Sequence, residues 1–88
     1  MSTVNTVISE AYDRAYEVAY SNRGNGKGRS TVRIESTTYV IEIEISGTVV
    51  DSVLTSADGR TLFADDEVVN GLSVEESAIA AAFCAIAE

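Results

Sequence analysis

The stretch T-Y-V-I-E-I-E-I-S-G, residues 38 to 47, decides the fold that this chain can adopt. Two sets of side chains alternate along it: Tyr39, Ile41, Ile43 and Ile45 in one set, and Val40, Glu42 and Glu44 in the other. Such alternation predicts a strand with one face on a hydrophobic core and the other in water. Ser46-Gly47 is a plausible tight turn, so the chain is expected to return antiparallel.

Weaker alternation on both sides extends this strand into a sheet. Asp58-Gly59 predicts a hairpin turn, because both residue types tolerate positive φ. Further strands are predicted at residues 31–37, 48–56 and 61–64, with Val32, Ile34, Val50 and Leu54 facing inward. These segments form an antiparallel meander of three to four strands, whose aliphatic face needs a cover.

A helix is predicted before the sheet. Apolar residues between positions 3 and 20 recur at the spacing of one helix face, and Ser2 or Thr3 provides an N-cap. Three tyrosines follow one edge of that face at four-residue intervals: Tyr12, Tyr16 and Tyr20. They are predicted to pack against the sheet rather than to form a recognition stripe.

A second helix is predicted after the sheet. Ser73 and Glu76 form a capping box, which starts a helix that runs to about Ala87. Beyond its first turn this helix is apolar on nearly all sides, so it either packs on two sides or meets a second copy of the chain. The predicted fold class is α+β, with an N-terminal helix, a three- to four-stranded antiparallel meander and a C-terminal helix in one domain over residues 1–88.

Two segments are predicted to be irregular. Residues 21–30 read S-N-R-G-N-G-K-G-R-S and predict a flexible, basic, glycine-rich loop. A phosphate-binding loop is a weaker interpretation, because the four-residue spacer between glycine and Gly-Lys is missing. Asp65-Asp66-Glu67 is expected to begin one helical turn, which Asn70-Gly71 ends.

The composition restricts the class of protein. Apolar residues make up 45% of the chain and charged residues 23%, which suits a folded protein. No apolar run approaches the roughly 20 residues of a membrane-spanning helix, and the N-terminus has no signal-like pattern. The single cysteine, Cys84, is predicted to be a buried thiol in a reducing compartment. A soluble cytoplasmic protein without membrane contact is expected.

Charge is distributed unevenly along the chain. The net charge is −8; residues 1–33 hold five basic and three acidic groups, whereas residues 34–88 hold one basic and eleven acidic groups. A field of that sign repels nucleic acid and attracts basic protein surfaces at long range. The expected partner is therefore a basic protein surface, and direct DNA binding is not expected.

Catalysis is not the expected function. Histidine is absent, which removes the commonest general base and the commonest transition-metal ligand. No nucleophile–base pair and no calcium-loop spacing replace it. We expect no catalytic residue, no metal site and no cofactor, although carboxylate pairs such as Glu42 and Glu44 leave acid–base catalysis or metal binding as alternatives.

The acidic residues of the sheet are the candidate binding site. Carboxylates on alternate positions of one strand lie about 7 Å apart, and neighbouring strands lie about 4.8 Å apart. Like charges held in such a grid destabilise the fold, so their presence suggests a function that compensates for this cost. The candidate partner-binding residues are Glu35, Glu42, Glu44, Asp51, Asp65, Asp66 and Glu67. Solubility, protection from aggregation and adaptation to high salt are alternative explanations of the same charge.

The I-E-I-E-I run at residues 41–45, the Asp65-Asp66-Glu67 cluster and the net charge resemble those of the small acidic anti-CRISPR proteins encoded by phages, several of which mimic DNA. The likeness covers the whole chain, as a match of size, charge and architecture. It implies a non-enzymatic inhibitor, which occupies a basic nucleic-acid-binding groove of a CRISPR effector complex in the host cytoplasm and blocks target DNA. Arg23, Lys27 and Arg29 depart from a purely acidic mimic, and a role for them in binding stays open.

A second function follows from the C-terminal helix. Its alanine-rich faces permit close approach of another helix. The alternative to the inhibitor is a small homo-oligomeric structural or adaptor protein, a homodimer for example, which associates through this helix.

Overall fold

A computed structural model of the chain describes residues 4–21 and 25–87. Within these ranges the elements are α1 (Val4–Tyr20), β1 (Asn25–Ile34), β2 (Thr37–Ser46), β3 (Val49–Ser56), β4 (Thr61–Ala64), β5 (Glu67–Val68) and α2 (Val74–Ala87). The strands form one antiparallel meander in the order β1-β2-β3-β4-β5. The predicted α+β class is confirmed, and a short fifth strand is added to the predicted sheet. The predicted cap at Ser2 or Thr3 lies outside the described residues.

Both helices lie on the same face of the sheet. α1 packs on β1 and β2, whereas α2 packs on β3, β4, β5 and α1. The predicted inward set of β2 is buried here, with Ile41 fully buried and Ile43 1% exposed. The buried apolar residues form a single cluster. The other face of the sheet carries no helix of the described chain, and the side chains on it are exposed or half-buried.

The predicted flexible loop at residues 21–30 is wrong for residues 25–30, which belong to β1; residues 22–24 lie outside the described ranges. Gly28 is buried beneath α1. A Cβ atom built on it would lie 1.7 Å from the backbone oxygen of Ala15. Glycine is thus required at this position because the backbone of α1 lies directly on the strand. This requirement comes from tertiary packing, whereas the glycine-rich composition alone predicts a flexible loop.

One further local prediction is wrong. Asp65 and Asp66 do not begin a helical turn; they form the two-residue turn between β4 and β5, with φ of 53° and 61°. Positive φ at both central residues suits a tight antiparallel hairpin, and aspartate tolerates it. Val50 faces the helix-bearing side of the sheet as predicted, because it lies opposite the buried Ile45, but it is 37% exposed. It follows the Gly47-Thr48 turn, near the end of the sheet.

The tyrosine column closes one side of the core. Tyr12 stacks on Tyr16 with ring centroids 6.2 Å apart, and it meets Phe83 of α2 edge-on at 5.8 Å. Phe83 in turn meets Phe63 of β4 edge-on at 5.1 Å. These contacts join α1, α2 and the sheet. Tyr20, stacked on Tyr16, remains 61% exposed.

The predicted capping box begins α2. The Ser73 backbone N–H donates to Glu76 Oε1 and the Glu76 backbone N–H donates to Ser73 Oγ, both at 3.2 Å. Arg60 adds an ion pair with Glu76 at 2.9 Å. Cys84, predicted to be buried, is half-buried against the core. Neither described helix combines the length and apolarity that a membrane span requires.

We expect Gly28→Ala to lower the free energy of unfolding by about 3 kcal/mol or more, because the new methyl group meets backbone rather than a movable side chain. Gly47→Ala is the matched control: its φ is +63° but its Cβ would meet nothing within 4 Å, so a cost of about 1 to 2 kcal/mol is expected. Urea unfolding of both variants measures the difference. Equal losses would contradict the close contact between α1 and β1.

Acid should destabilise the protein partly through Glu76. The hydrogen bond from the Ser73 backbone holds the pKa of Glu76 below its ordinary value of 4.5, with Arg60 adding to the effect and burial opposing it. A lowered folded-state pKa contributes stability above pH 4.5, and this stability is lost as pH falls through the folded value. Glu76→Gln, which can still cap the helix, should show a smaller loss in this window. Parallel pH–stability curves for the two proteins, measured by thermal unfolding, would contradict this assignment.

Candidate functional site

The uncovered face of the sheet carries charged residues on three neighbouring strands. Outward-facing positions of β1 and β2 pair directly, so that Lys27 lies opposite Glu44 and Arg29 opposite Glu42. On the other side of β2, Glu44 lies opposite Asp51 of β3. Side chains directly opposite across an antiparallel pair have Cβ atoms about 5 Å apart. One row therefore reads lysine, glutamate, aspartate across the sheet.

A shallow groove of about 280 Å³ follows this row. We call it the open-face groove. Its charged side chains are Lys27, Arg29, Glu42, Glu44, Asp51 and Asp65, and the half-buried Val53 lies among them. Asp65 lines the same groove from the turn after β4, so it adds a carboxylate to those of Glu42, Glu44 and Asp51.

The charges of this face are segregated. The cations lie on the edge strand β1, where Arg33 continues the series that Lys27 and Arg29 begin, whereas the carboxylates lie on β2, β3 and the β4–β5 turn. The ion pair closed within the described part of the chain is that of Arg60 with Glu76, away from this face. The charged residues of the open-face groove are exposed, so they are accessible to a partner.

The predicted binding residues do not all lie together. Glu42, Glu44, Asp51 and Asp65 line the open-face groove. Glu35 does not belong to this set, because it occupies the β1–β2 turn with φ of 58° and borders a different groove. Asp66 and Glu67 belong to the β4–β5 hairpin, next to Asp65, and are exposed.

Sequence reasoning missed the part that Lys27 and Arg29 play on this face. Both were assigned to a mobile loop, yet they occupy outward positions of β1 opposite two of the predicted carboxylates. The signal that was available is the period of two between residues 26 and 33, in which Gly26 and Gly28 alternate with the cations. Glycine concealed this pattern, since it counts neither as apolar nor as a strand former.

The open face can interact with a partner through its exposed charged side chains. Within residues 4–21 and 25–87, no group of three or more carboxylate or thiol side chains is arranged so that it could hold a metal ion. Every buried side-chain nitrogen or oxygen in those ranges has a hydrogen-bond partner, so no orphaned polar group points to a missing ligand. What remains on the open face is a set of exposed carboxylates beside a strip of cations.

Comparison with protein-family models, with curated proteins and with solved structures found no match for this chain.

Because Glu44 and Asp51 are directly opposed like charges, we expect Asp51→Asn to raise the free energy of unfolding by about 0.2 to 1 kcal/mol. The gain should shrink in 1 M salt, where the Debye length is about 3 Å. The control is the same substitution in a Glu44→Gln background, where no carboxylate opposes it and the gain should vanish. An identical gain in both backgrounds, measured by urea unfolding, would show that the two carboxylates do not interact.

Proposed function

We propose that the protein is a non-enzymatic inhibitor, which places the acidic side of its open sheet face in a positively charged, nucleic-acid-binding groove of another protein. The observation that carries the proposal is that Glu44 and Asp51 lie opposite each other on an uncovered face and share one groove with Asp65. Adjacent strands lie about 4.8 Å apart, so Glu44 and Asp51 offer closely spaced negative charges on a rigid support. Nucleic-acid phosphates present the same type of charge to such grooves.

The net charge of −8 supports the proposal through association kinetics. A strongly acidic protein is steered toward a basic cleft, and the rate of encounter falls as salt screens the field. Glu42 also contributes to the open-face groove, next to Arg29. The acidic side of the face thus holds Glu42 in addition to the carboxylates of Glu44, Asp51 and Asp65.

The cations of β1 give the docking surface a direction. Lys27, Arg29 and Arg33 lie at one edge of the face, and the turn that holds Asp65 lies toward the other. A uniformly basic groove would attract the acidic side and repel the basic edge. An acidic rim of the partner, or exposed phosphates of a bound guide RNA, would complement β1. This polarity favours one orientation of binding over its reverse.

The resemblance to anti-CRISPR proteins makes a CRISPR effector complex the partner to test. In a panel of guide-loaded effector complexes, the protein should compete with target DNA for at least one of them, and its affinity should fall steeply between 50 and 500 mM salt. The triple variant Glu44→Gln, Asp51→Asn, Asp65→Asn should bind that complex about tenfold more weakly. Three exposed ion pairs of roughly 0.5 kcal/mol each account for such a factor.

The matched control neutralises three carboxylates of α1 instead, as Glu10→Gln, Asp13→Asn, Glu17→Gln. These residues are exposed on the helix and do not belong to the sheet. Both triple variants change the net charge equally, so general steering weakens equally in both. Equal loss of affinity in the two variants would show that the open face is not the binding surface. Absence of competition with target DNA across the panel would show that CRISPR effector complexes are not the partner.

A homo-oligomeric structural protein is the second candidate function, and one observation favours it. α2 exposes apolar residues along its outer side: Val74, which is 88% exposed, and the exposed residues Ala78, Ala81 and Ala85. A stable dimer in light scattering, dissociated by Ala81→Glu and without affinity for any effector complex, would replace the inhibitor by this candidate.

A further inference from the structure

A second groove lies on the helix-bearing side of the sheet, between the N-terminal ends of α1 and α2 and the β1–β2 turn. It measures about 370 Å³, and we call it the helix-end groove. Most of its surface is apolar: Val4, Ile34, Tyr39, Ala78, Ile79 and Ala82. This size is close to the lower end of the range for ligand-binding pockets. An apolar floor of this kind suits an aliphatic side chain.

The charges around the helix-end groove have one sign. Glu35 from the β1–β2 turn and Glu75 from the first turn of α2 border it, and no lysine or arginine lines it. Among the described residues neither carboxylate belongs to an ion pair, whereas nearby Glu76 is paired with Arg60. The groove therefore combines an apolar floor with two carboxylates that no cation of residues 4–21 and 25–87 pairs with.

The phenol of Tyr39 responds to this environment. Burial, followed by the negative charges of Glu76, Glu75 and Glu35, raises the pKa of Tyr39 above its ordinary value of 10.0. A hydrogen bond with the Thr37 side chain acts in the opposite direction. The carboxylates are thus close enough to act on a group in the floor of the groove. Burial disfavours any charge on that floor, so a cation is favoured at the rim, beside Glu35 and Glu75.

Glu35 occupies a backbone conformation that glutamate rarely adopts. Its φ is 58°, in a two-residue turn between paired strands, where glycine or asparagine would be less strained. Local strain of this kind often accompanies a functional side chain. The strained residue is one of the two carboxylates at the rim of the helix-end groove, so geometry and charge coincide there.

We propose that the helix-end groove binds one aliphatic side chain of a partner polypeptide that is flanked by lysine or arginine. The aliphatic group replaces water on the apolar floor, and the flanking cations pair with Glu35 and Glu75. This site is independent of the inhibitor function proposed above, because it uses different residues on the opposite side of the sheet. A partner with such a segment would be held at two places.

Three capped synthetic peptides test the proposal by NMR titration of the ¹⁵N-labelled full chain: Gly-Lys-Leu-Lys-Gly, Gly-Gln-Leu-Gln-Gly and Gly-Lys-Ser-Lys-Gly. We expect the first peptide to shift the amide resonances of Ile34, Glu35 and Ala78, and to bind at least fivefold more tightly than either of the others. Loss of two exposed ion pairs or of one buried aliphatic group accounts for a factor of this size.

Two variants locate the site. Glu35→Gln with Glu75→Gln should abolish the preference for the lysine-containing leucine peptide over its glutamine counterpart, while the matched control Glu42→Gln with Glu44→Gln on the open face should retain it. Ala78→Phe, at an exposed position on the rim of the groove, should block both leucine peptides.

Other results would overturn the proposal. Equal binding of all three peptides, or shifts confined to residues of the open-face groove, would show that attraction to the acidic protein is general. Binding that appears only in a variant lacking residues 1–3 would assign the groove to the segment that precedes Val4. If the protein binds the leucine peptide but no effector complex, the inhibitor function is wrong and the proposal for the helix-end groove is unaffected.

Discussion

The contact between the backbone of α1 at Ala15 and the backbone of β1 at Gly28 determines how the layers of this protein fit together. A helix that rests directly on a strand needs small residues on both sides, and Ala11 and Ala19 are fully buried on the same helix face as Ala15. This close packing holds α1 over β1 and β2. The far half of the same sheet face is then free for α2, so both helices share one face and the opposite face stays open.

The orientation of the charged residues follows from that contact. When Gly28 faces the helix, the pleat requires Lys27 and Arg29 to face the solvent, because successive residues of a strand point to opposite sides. The pairing of β1 with β2 then places these cations opposite Glu44 and Glu42. A shift by one residue would bury the cations and expose the apolar residues of the strand, so the register is strongly specified. Core packing and surface polarity are consequently two results of one constraint.

The extent to which the sequence predicts this structure depends on whether a signal is local or tertiary. The alternation in β2, the periodicity of α1 and the capping box of α2 are local signals, and each predicted its element correctly. The start of β1 was missed, because its glycines hide the alternation of the cations and the reason for Gly28 lies in α1, distant in sequence. For the binding surface, alternation predicted the outward direction of Glu42, Glu44 and Asp51, but it failed for Glu35, where the strand ends one residue earlier and the chain turns.

An acidic protein of this size has to remain folded while it displays charges of one sign. Carboxylates spread uniformly over a sheet would repel one another across every strand pair. Here the pairing of β1 with β2 places opposite charges together, and repulsion between directly opposed carboxylates in the same row is limited to Glu44 and Asp51. The cations of β1 thus reduce repulsion at the edge of the sheet, while the carboxylates of the open face stay exposed and accessible. Replacing the cations of β1 with acidic residues would make the face uniformly acidic and would strengthen its attraction for a basic partner. The same change would add repulsion between strands and would therefore destabilise the sheet.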